Sequence, residues 1–214
     1  MDKFIRLTAA ACPLPLENVD TDQLIPARFM SRPRASGYGA CLLHDLRFDE
    51  QGLPRRRIAL DEDRFKGARI LVARRNFGSG SSREAAVYAL WDFGFRCIIA
   101  PSFGDIFASN AVKNGLLPAV VSSADAEALL DALSTALTPH LTVDLDSQFI
   151  SGLDRTVAFT VDRVRRLQLL NGWDDFDMTK QYGDRIAAHR SSLQANMSWI
   201  FPPPGGLAQV DRTD

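Results

Sequence analysis

The stretch Ala68-Arg69-Ile70-Leu71-Val72-Ala73-Arg74-Arg75-Asn76-Phe77-Gly78-Ser79-Gly80-Ser81-Ser82-Arg83-Glu84 decides the reading of this chain. Residues 68–73 have the apolar character of a strand, and the pattern after the loop predicts a helix over 82–93. Between them Gly78 and Gly80 free the backbone to turn sharply and to approach a ligand closely. Ser79, Ser81 and Ser82 contribute hydroxyls. The loop runs into a helix N-terminus, where unpaired N–H groups and the helix dipole favour an anion. Arg83 adds a planar fork suited to a carboxylate or a phosphate. Together these parts describe a site for a small anion with a serine beside the reacting atom.

Other Gly-rich loops fail on spacing. A dinucleotide fingerprint needs Gly-x-Gly-x-x-Gly, and its third glycine position is Arg83 here. A P-loop ends in Gly-Lys-Ser/Thr, and this loop has no lysine. A nucleophile elbow needs Gly-x-Ser-x-Gly, which no serine of the chain satisfies. The plain alternative is a Gly/Ser turn with Ser82 capping the helix and Glu84 in its first turn.

Outward from the loop the pattern is regular. A strand is expected at 95–100, apolar enough to be buried on both faces. A helix over 103–113 ends before Gly115, a strand covers 116–121, and a helix covers 124–136, with Leu129, Leu130, Leu133 and Leu137 at helical spacing. This alternation implies parallel strands joined by helical crossovers. Beyond it, 141–145 and 156–161 read as strands paired around Gly152, 162–171 as a helix closed by Gly172, and 176–190 as a last helix. Upstream lie a strand at 3–9, a polar loop from Asn18 to Pro26, a Pro/Gly/Ser-rich loop at 31–39 and a short element at 45–48. The expected organisation is one domain over 1–195 with a C-terminal helical extension, and a flexible tail over 196–214.

Bulk properties exclude several classes. The chain has 214 residues, 46% hydrophobic and 24% charged, as ordinary globular domains do. A net charge of −1 gives no case for nucleic acid, and the basic runs 55–57 and 163–166 read as solvated faces or contacts to a partner. No apolar run is long enough to span a membrane, and the N-terminus lacks a signal-peptide core, so a cytoplasmic location is expected. Cys12, Cys41 and Cys97 form no Cys-x-x-Cys pair, which argues against disulfides and zinc. His44, His140 and His189 are isolated, so no metal site is expected on this chain.

Four motifs, in order and in spacing, resemble one family. They are Asn18-Val19-Asp20-Thr21-Asp22-Gln23-Leu24-Ile25-Pro26-Ala27-Arg28-Phe29, the 76–84 loop, Pro101-Ser102-Phe103-Gly104-Asp105-Ile106-Phe107 with Asn110 and Asn114-Gly115-Leu116-Leu117-Pro118, and Leu169-Leu170-Asn171-Gly172-Trp173-Asp174. Over residues 3–190 the chain is similar to the small subunits of 3-isopropylmalate dehydratases, the mobile swivel domain of the aconitase superfamily. The resemblance implies an α/β fold, a three-layer β/β/α swivel domain with a parallel βαβ core and additional antiparallel strands. It implies a separate large subunit carrying a [4Fe–4S] cluster, whose iron assists departure of hydroxide. The implied reaction is interconversion of 2- and 3-isopropylmalate by dehydration and rehydration, in leucine biosynthesis.

By the same resemblance Ser81 is the base, acting as an alkoxide. A serine is a poor base in water, so its anion would need N–H donors and a nearby cation. Gly80 and Arg83 suit that task. Thr21, Asp22, Gly80, Ser82 and Arg83 are expected to line the site for a small dicarboxylate. Arg34, with Arg32 as rival, is expected to reach the substrate from the 28–39 loop, where the family sets substrate choice. Residues 28–40 are also expected to be mobile without the partner. Two positions depart from the family: Ser79 stands for its usual cysteine and Ala85 for its usual histidine. They leave open a related hydro-lyase of dimethylmalate, citraconate or homoaconitate type, or an inactive binding module.

Overall fold

A computed structural model describes residues 1–55 and 58–201. They fall into two compact units, Met1–Asp174 and Asp175–Asp214. The first carries strands β1 (Arg6–Leu14), β2 (Ile70–Ala73), β3 (Cys97–Ala100), β4 (Leu117–Val120), β5 (His140–Asp144), β6 (Phe149–Gly152) and β7 (Arg155–Ala158). Its helices are α1 (Thr21–Leu24), α2 (His44–Arg47), α3 (Glu84–Phe93), α4 (Asp105–Lys113), α5 (Ser123–Thr135) and α6 (Arg163–Asn171).

One mixed sheet results, in the order β4-β3-β2-β1-β5-β6-β7. The β1 to β4 side is parallel and the β5 to β7 side antiparallel. β1 serves the two sides with different halves: Arg6–Ala10 pair with β5 and Ala11–Leu14 with β2. The two sides therefore diverge along it. The sheet curls until its ends touch, with Val120 and Thr160 exchanging backbone hydrogen bonds of 3.0 and 2.8 Å.

Two apolar cores lie on opposite faces. In β2 and β3, Leu71, Ala73, Ile98 and Ala100 face one core, and Ile70, Val72, Cys97 and Ile99 the other. The first core takes the apolar face of α3 (Ala85, Ala86, Ala89, Leu90) and the second that of α5 (Ala126, Leu129, Leu130, Leu133). Each large aliphatic side chain so enclosed contributes about 1.5–3 kcal/mol of transfer free energy.

The fold differs from expectation in places with physical causes. Residues 141–145 and 156–161 do not pair directly, because β6 lies between β5 and β7. Its second turn uses Leu153 and Asp154, both left-handed at φ 52° and 56°, a conformation that leucine rarely adopts. The first strand runs on to Leu14, and α3 starts at Glu84 rather than Ser82. In the second unit two helices, α7 (Asp175–Lys180) and α8 (Gly183–Asn196), replace the single expected one. Most of the predicted tail, residues 202–214, lies outside the described residues.

Candidate active site

The site is assembled at the C-terminal ends of β1, β2 and β3, where parallel α/β sheets commonly hold ligands. The connections after these strands are tied by backbone pairing: Asp20 with Ser79, and Phe77 with Phe103. The Gly78 N–H donates to the Val19 carbonyl at 2.7 Å, and the Thr21 N–H to the Ser79 carbonyl at 2.9 Å. Asn76 is left-handed at φ 62°; its N–H donates to Ser102 Oγ at 2.8 Å and its amide to Asn18 at 2.9 Å. Gly78, at φ +72°, lies against Phe107, whose ring a Cβ there would meet at 2.2 Å. The loop is thus pressed onto an aromatic floor and has little freedom.

On this floor the expected residues converge. Thr21 is buried, and its Oγ1 lies 3.1 Å from the Ser81 carbonyl and 3.2 Å from Ser81 Oγ. Ser81 itself is exposed, as are Gly80 and Ser82. Gly80, at φ +95°, runs beside Thr21, which a Cβ would approach to 3.5 Å. Asp20, not Asp22, caps α1: its Oδ1 accepts the Gln23 N–H at 2.7 Å, and its own N–H donates to Gln23 Oε1 at 3.1 Å. This capping box leaves Asp22 free to reach across, and its carboxylate pairs with Arg83. Arg83 is the N-cap residue of α3 and makes no side-chain cap bond, so Ser82 does not cap this helix either. The first turn of α3 therefore offers N–H groups toward the serines.

Arg34 is placed elsewhere. Both its terminal nitrogens donate to Asp92, in the last turn of α3, at 2.7 and 3.0 Å. Arg32 donates to Cys41 Sγ at 3.5 Å, and Arg28 pairs with Asp45. In this arrangement the arginines of the 28–39 loop hold protein groups.

Several supporting residues escaped the sequence reading. Asp20 and Ser102 fix the loop's backbone, Phe107 fixes its depth, and Asn114 donates to Glu84 Oε1 at 2.8 Å at the start of α3. Ser102, Phe107 and Asn114 lie within the quoted motifs, which was their only signal. Asp92 had one other: a lone acid in the last turn of a helix opposes the dipole and calls for a cation. Ala85 is 9% exposed and belongs to the core.

The three thiols do not form a ligand set. Cys12 and Cys41 lie in one core and Cys97 in the other. Burial, with Glu62 adding to it, pushes the Cys12 thiol up to about 12, and burial alone raises Cys97 further. Among the described residues no group of three or more His, Cys, Asp or Glu side chains could hold a metal ion. An iron–sulfur cluster does not fit these residues. A cleft of about 740 Å3, lined by Leu46, Ile58, Leu130, Arg64 and Arg74 among others, includes none of the serine-loop residues. No described helix is long and apolar enough to cross a membrane.

Comparison with known proteins adds independent findings. Residues 1–124 match the aconitase C-terminal domain. The chain is 44% identical over 200 residues to the 3-isopropylmalate dehydratase small subunit of Rhizobium meliloti, covering 93% of this chain and 100% of that one. It is 44% identical over 202 residues to the protein of the same name from Rhodospirillum centenum, covering 94% and 100%. The crystal structure of 3-isopropylmalate dehydratase from Methanocaldococcus jannaschii is similar in fold, with a TM-score of 0.61 at 23% identity, over 86% of this chain and 99% of that one.

Proposed function

This chain belongs to the family of 3-isopropylmalate dehydratase small subunits, and we propose from that premise how its residues work. Its activity is that of a hydro-lyase subunit, interconverting 2- and 3-isopropylmalate by dehydration and rehydration in leucine biosynthesis. It acts with a large subunit; on this reading that partner carries the iron–sulfur cluster, the substrate is a small dicarboxylate, and the enzyme is cytoplasmic.

The observation that carries the assignment is the Thr21–Ser81 contact of 3.2 Å, set beside Arg83 at the uncapped start of α3. The reaction removes a proton from a carbon next to a carboxylate, so a base must stand beside that carbon. We assign that base to Ser81 Oγ, on an exposed residue of the loop. Its hydroxyl must give its proton to solvent at the exposed face, and the neighbouring groups favour the anion that remains. Thr21 has one hydroxyl proton and two acceptors in reach, the Ser81 carbonyl and Ser81 Oγ. Rotating that proton onto Oγ stabilises an alkoxide, as do the α3 N–H groups and the Arg83 charge.

Arg83 and Asp22 form a pair whose acid side chain is 57% exposed and whose arginine is 24% exposed. Asp22 keeps the guanidinium aimed and compensated while the site is free. A substrate carboxylate then takes over its place on Arg83, so Arg83 binds the substrate and Asp22 holds Arg83 in position until it does. Gly80 and Ser82 complete the lining with backbone N–H and hydroxyl groups.

The test is turnover by this chain combined with its large subunit after anaerobic cluster reconstitution. Absorbance of the unsaturated intermediate from 2- and 3-isopropylmalate is followed, with Ser81→Ala alongside. Activity lost in the variant upholds the reading. An intact complex that ignores isopropylmalate but dehydrates dimethylmalate or hydrates citraconate would overturn the substrate assignment and point to Ala85 and the 28–39 loop.

A further inference from the structure

We propose that Arg34 is a positioning residue, pinned on Asp92, and that this pin fixes the 31–39 loop on α3. The proposal rests on the isopropylmalate reading for its substrate, for the loop's part in substrate choice and for the role of the serines. Asp92 receives three donors from the loop. Arg34 supplies two, at 2.7 and 3.0 Å, and the Tyr38 backbone N–H supplies a third at 2.8 Å. The Asp92 side chain keeps 18% of its surface, against 47% for Arg34, so the acid is the enclosed member.

The surroundings are shaped for the same contact. The Arg34 guanidinium lies 4.4 Å from the Tyr88 ring centre and 5.6 Å from that of Tyr38. Those two rings stack 6.3 Å apart, and the Tyr38 hydroxyl donates to the Arg32 carbonyl at 3.0 Å. A Cβ on Gly39 would lie 2.8 Å from the Asp92 carbonyl carbon and oxygen, so only glycine permits this backbone approach. α3 has no basic residue in its last turn, and Asp92 there opposes the dipole. Arg34 supplies from the loop the cation the helix end lacks. A guanidinium held through two nitrogens on one carboxylate and packed on an aromatic face has its direction set by Asp92.

Since Glu84, Tyr88 and Asp92 follow at four-residue steps along α3, the pinned loop lies on the helix whose N-cap is Arg83. The pin thereby sets the distance between the loop that meets the substrate's side group and the serines that do the chemistry. Its loss is expected to raise KM for the branched substrate more than it lowers kcat.

A double-mutant cycle in the holoenzyme tests this, read by kcat and KM separately and by amide exchange of residues 31–41 in the full chain. Arg34→Ala and Asp92→Asn are each expected to cost roughly tenfold in kcat/KM, mostly in KM, and the double variant no more than either. Both should speed exchange of residues 31–41, and the charge-swapped pair Arg34→Asp with Asp92→Arg should restore part of the protection. The proposal is overturned if Arg34→Ala costs about 100-fold or more while Asp92→Asn changes little, which would make Arg34 a substrate ligand. It is equally overturned if neither variant alters exchange. Wild-type enzyme inactive on isopropylmalate would sink the substrate assignment alone, since the exchange measurement needs no turnover.

Discussion

α3 carries a loop at each end, and the two loops are held by different forces. The serine loop at its N-terminus is fixed by backbone pairing, two positive-φ glycines and the Phe107 ring beneath. The Arg34 loop at its C-terminus is fixed by side-chain charge and cation–π contacts, with short turns over 27–29, 34–36 and 39–41 and mostly exposed residues. Backbone pairing and packing hold atoms to a fraction of an ångström, and salt does not loosen them. Ion pairs at a half-open surface contribute less and are screened. The contrast suits chemistry at one end, where a proton moves between fixed atoms, and adjustable recognition at the other.

Ser81→Ala should separate the ends most sharply. Removing a general base costs about 10²–10⁴-fold in rate. Ser81 is exposed and its contacts are with Thr21, so the variant's urea midpoint should match wild type. An unchanged kcat would remove Ser81 from the reaction.

Next in size is Gly78→Ala. A methyl group at φ +72° is strained by about 1–2 kcal/mol. Displacing the Phe107 ring, 2.2 Å from that methyl, adds about 1–3 kcal/mol. The expected loss of about 2–5 kcal/mol is read from urea unfolding. A loss below about 0.5 kcal/mol would mean the aromatic floor yields, and the rigid half of the contrast would fail.

Thr21→Val keeps shape and buries no new polar atom, but it removes the hydroxyl from Ser81. About tenfold in kcat is expected, with Thr21→Ser recovering most of it. If Thr21→Val slowed turnover no more than twofold, alkoxide stabilisation would fall to Arg83 and the helix N–H groups.

The same contrast explains what could be read beforehand. The serine loop was legible because backbone geometry and glycine leave a local signature: strand, Gly-Ser-Gly turn, helix. Gly80 and Arg83 follow from it as anion-binding candidates, and Ser81, Thr21 and Asp22 from family resemblance. The pairing of Asp20 with Ser79 was not legible, because residues about 60 positions apart meet only through the β1–β2 register. That Asp20 rather than Asp22 caps α1 was not legible either, because both residues fit the cap preference. β6 went unseen because its turn at Leu153-Asp154 lacks the usual glycine or asparagine. Arg34 was recognisable as a residue of consequence, but the partner that claims it lies 58 positions away in sequence.

The smallest expected effect lies at the root of the charged loop. Asp45 of α2 is paired with Arg28, and the Arg28 hydrogen bond lowers its carboxyl to about 2, against an opposing effect of burial and with help from His44. A depressed carboxyl pKa contributes stability that is fully present above the unfolded value, about 3.9, and is lost as pH falls through 2. Both side chains are more than half exposed, so screening holds the contribution under about 1 kcal/mol. The urea midpoints of wild type and Asp45→Asn should differ by a constant amount from pH 7 to about 5 and converge toward pH 2. Added salt should narrow the gap at neutral pH, while the cost of Gly78→Ala stays unchanged under both treatments. A gap that survived acid and salt alike would mean Asp45 acts by packing, and the distinction between a charge-held and a backbone-held end of α3 would lose its simplest support.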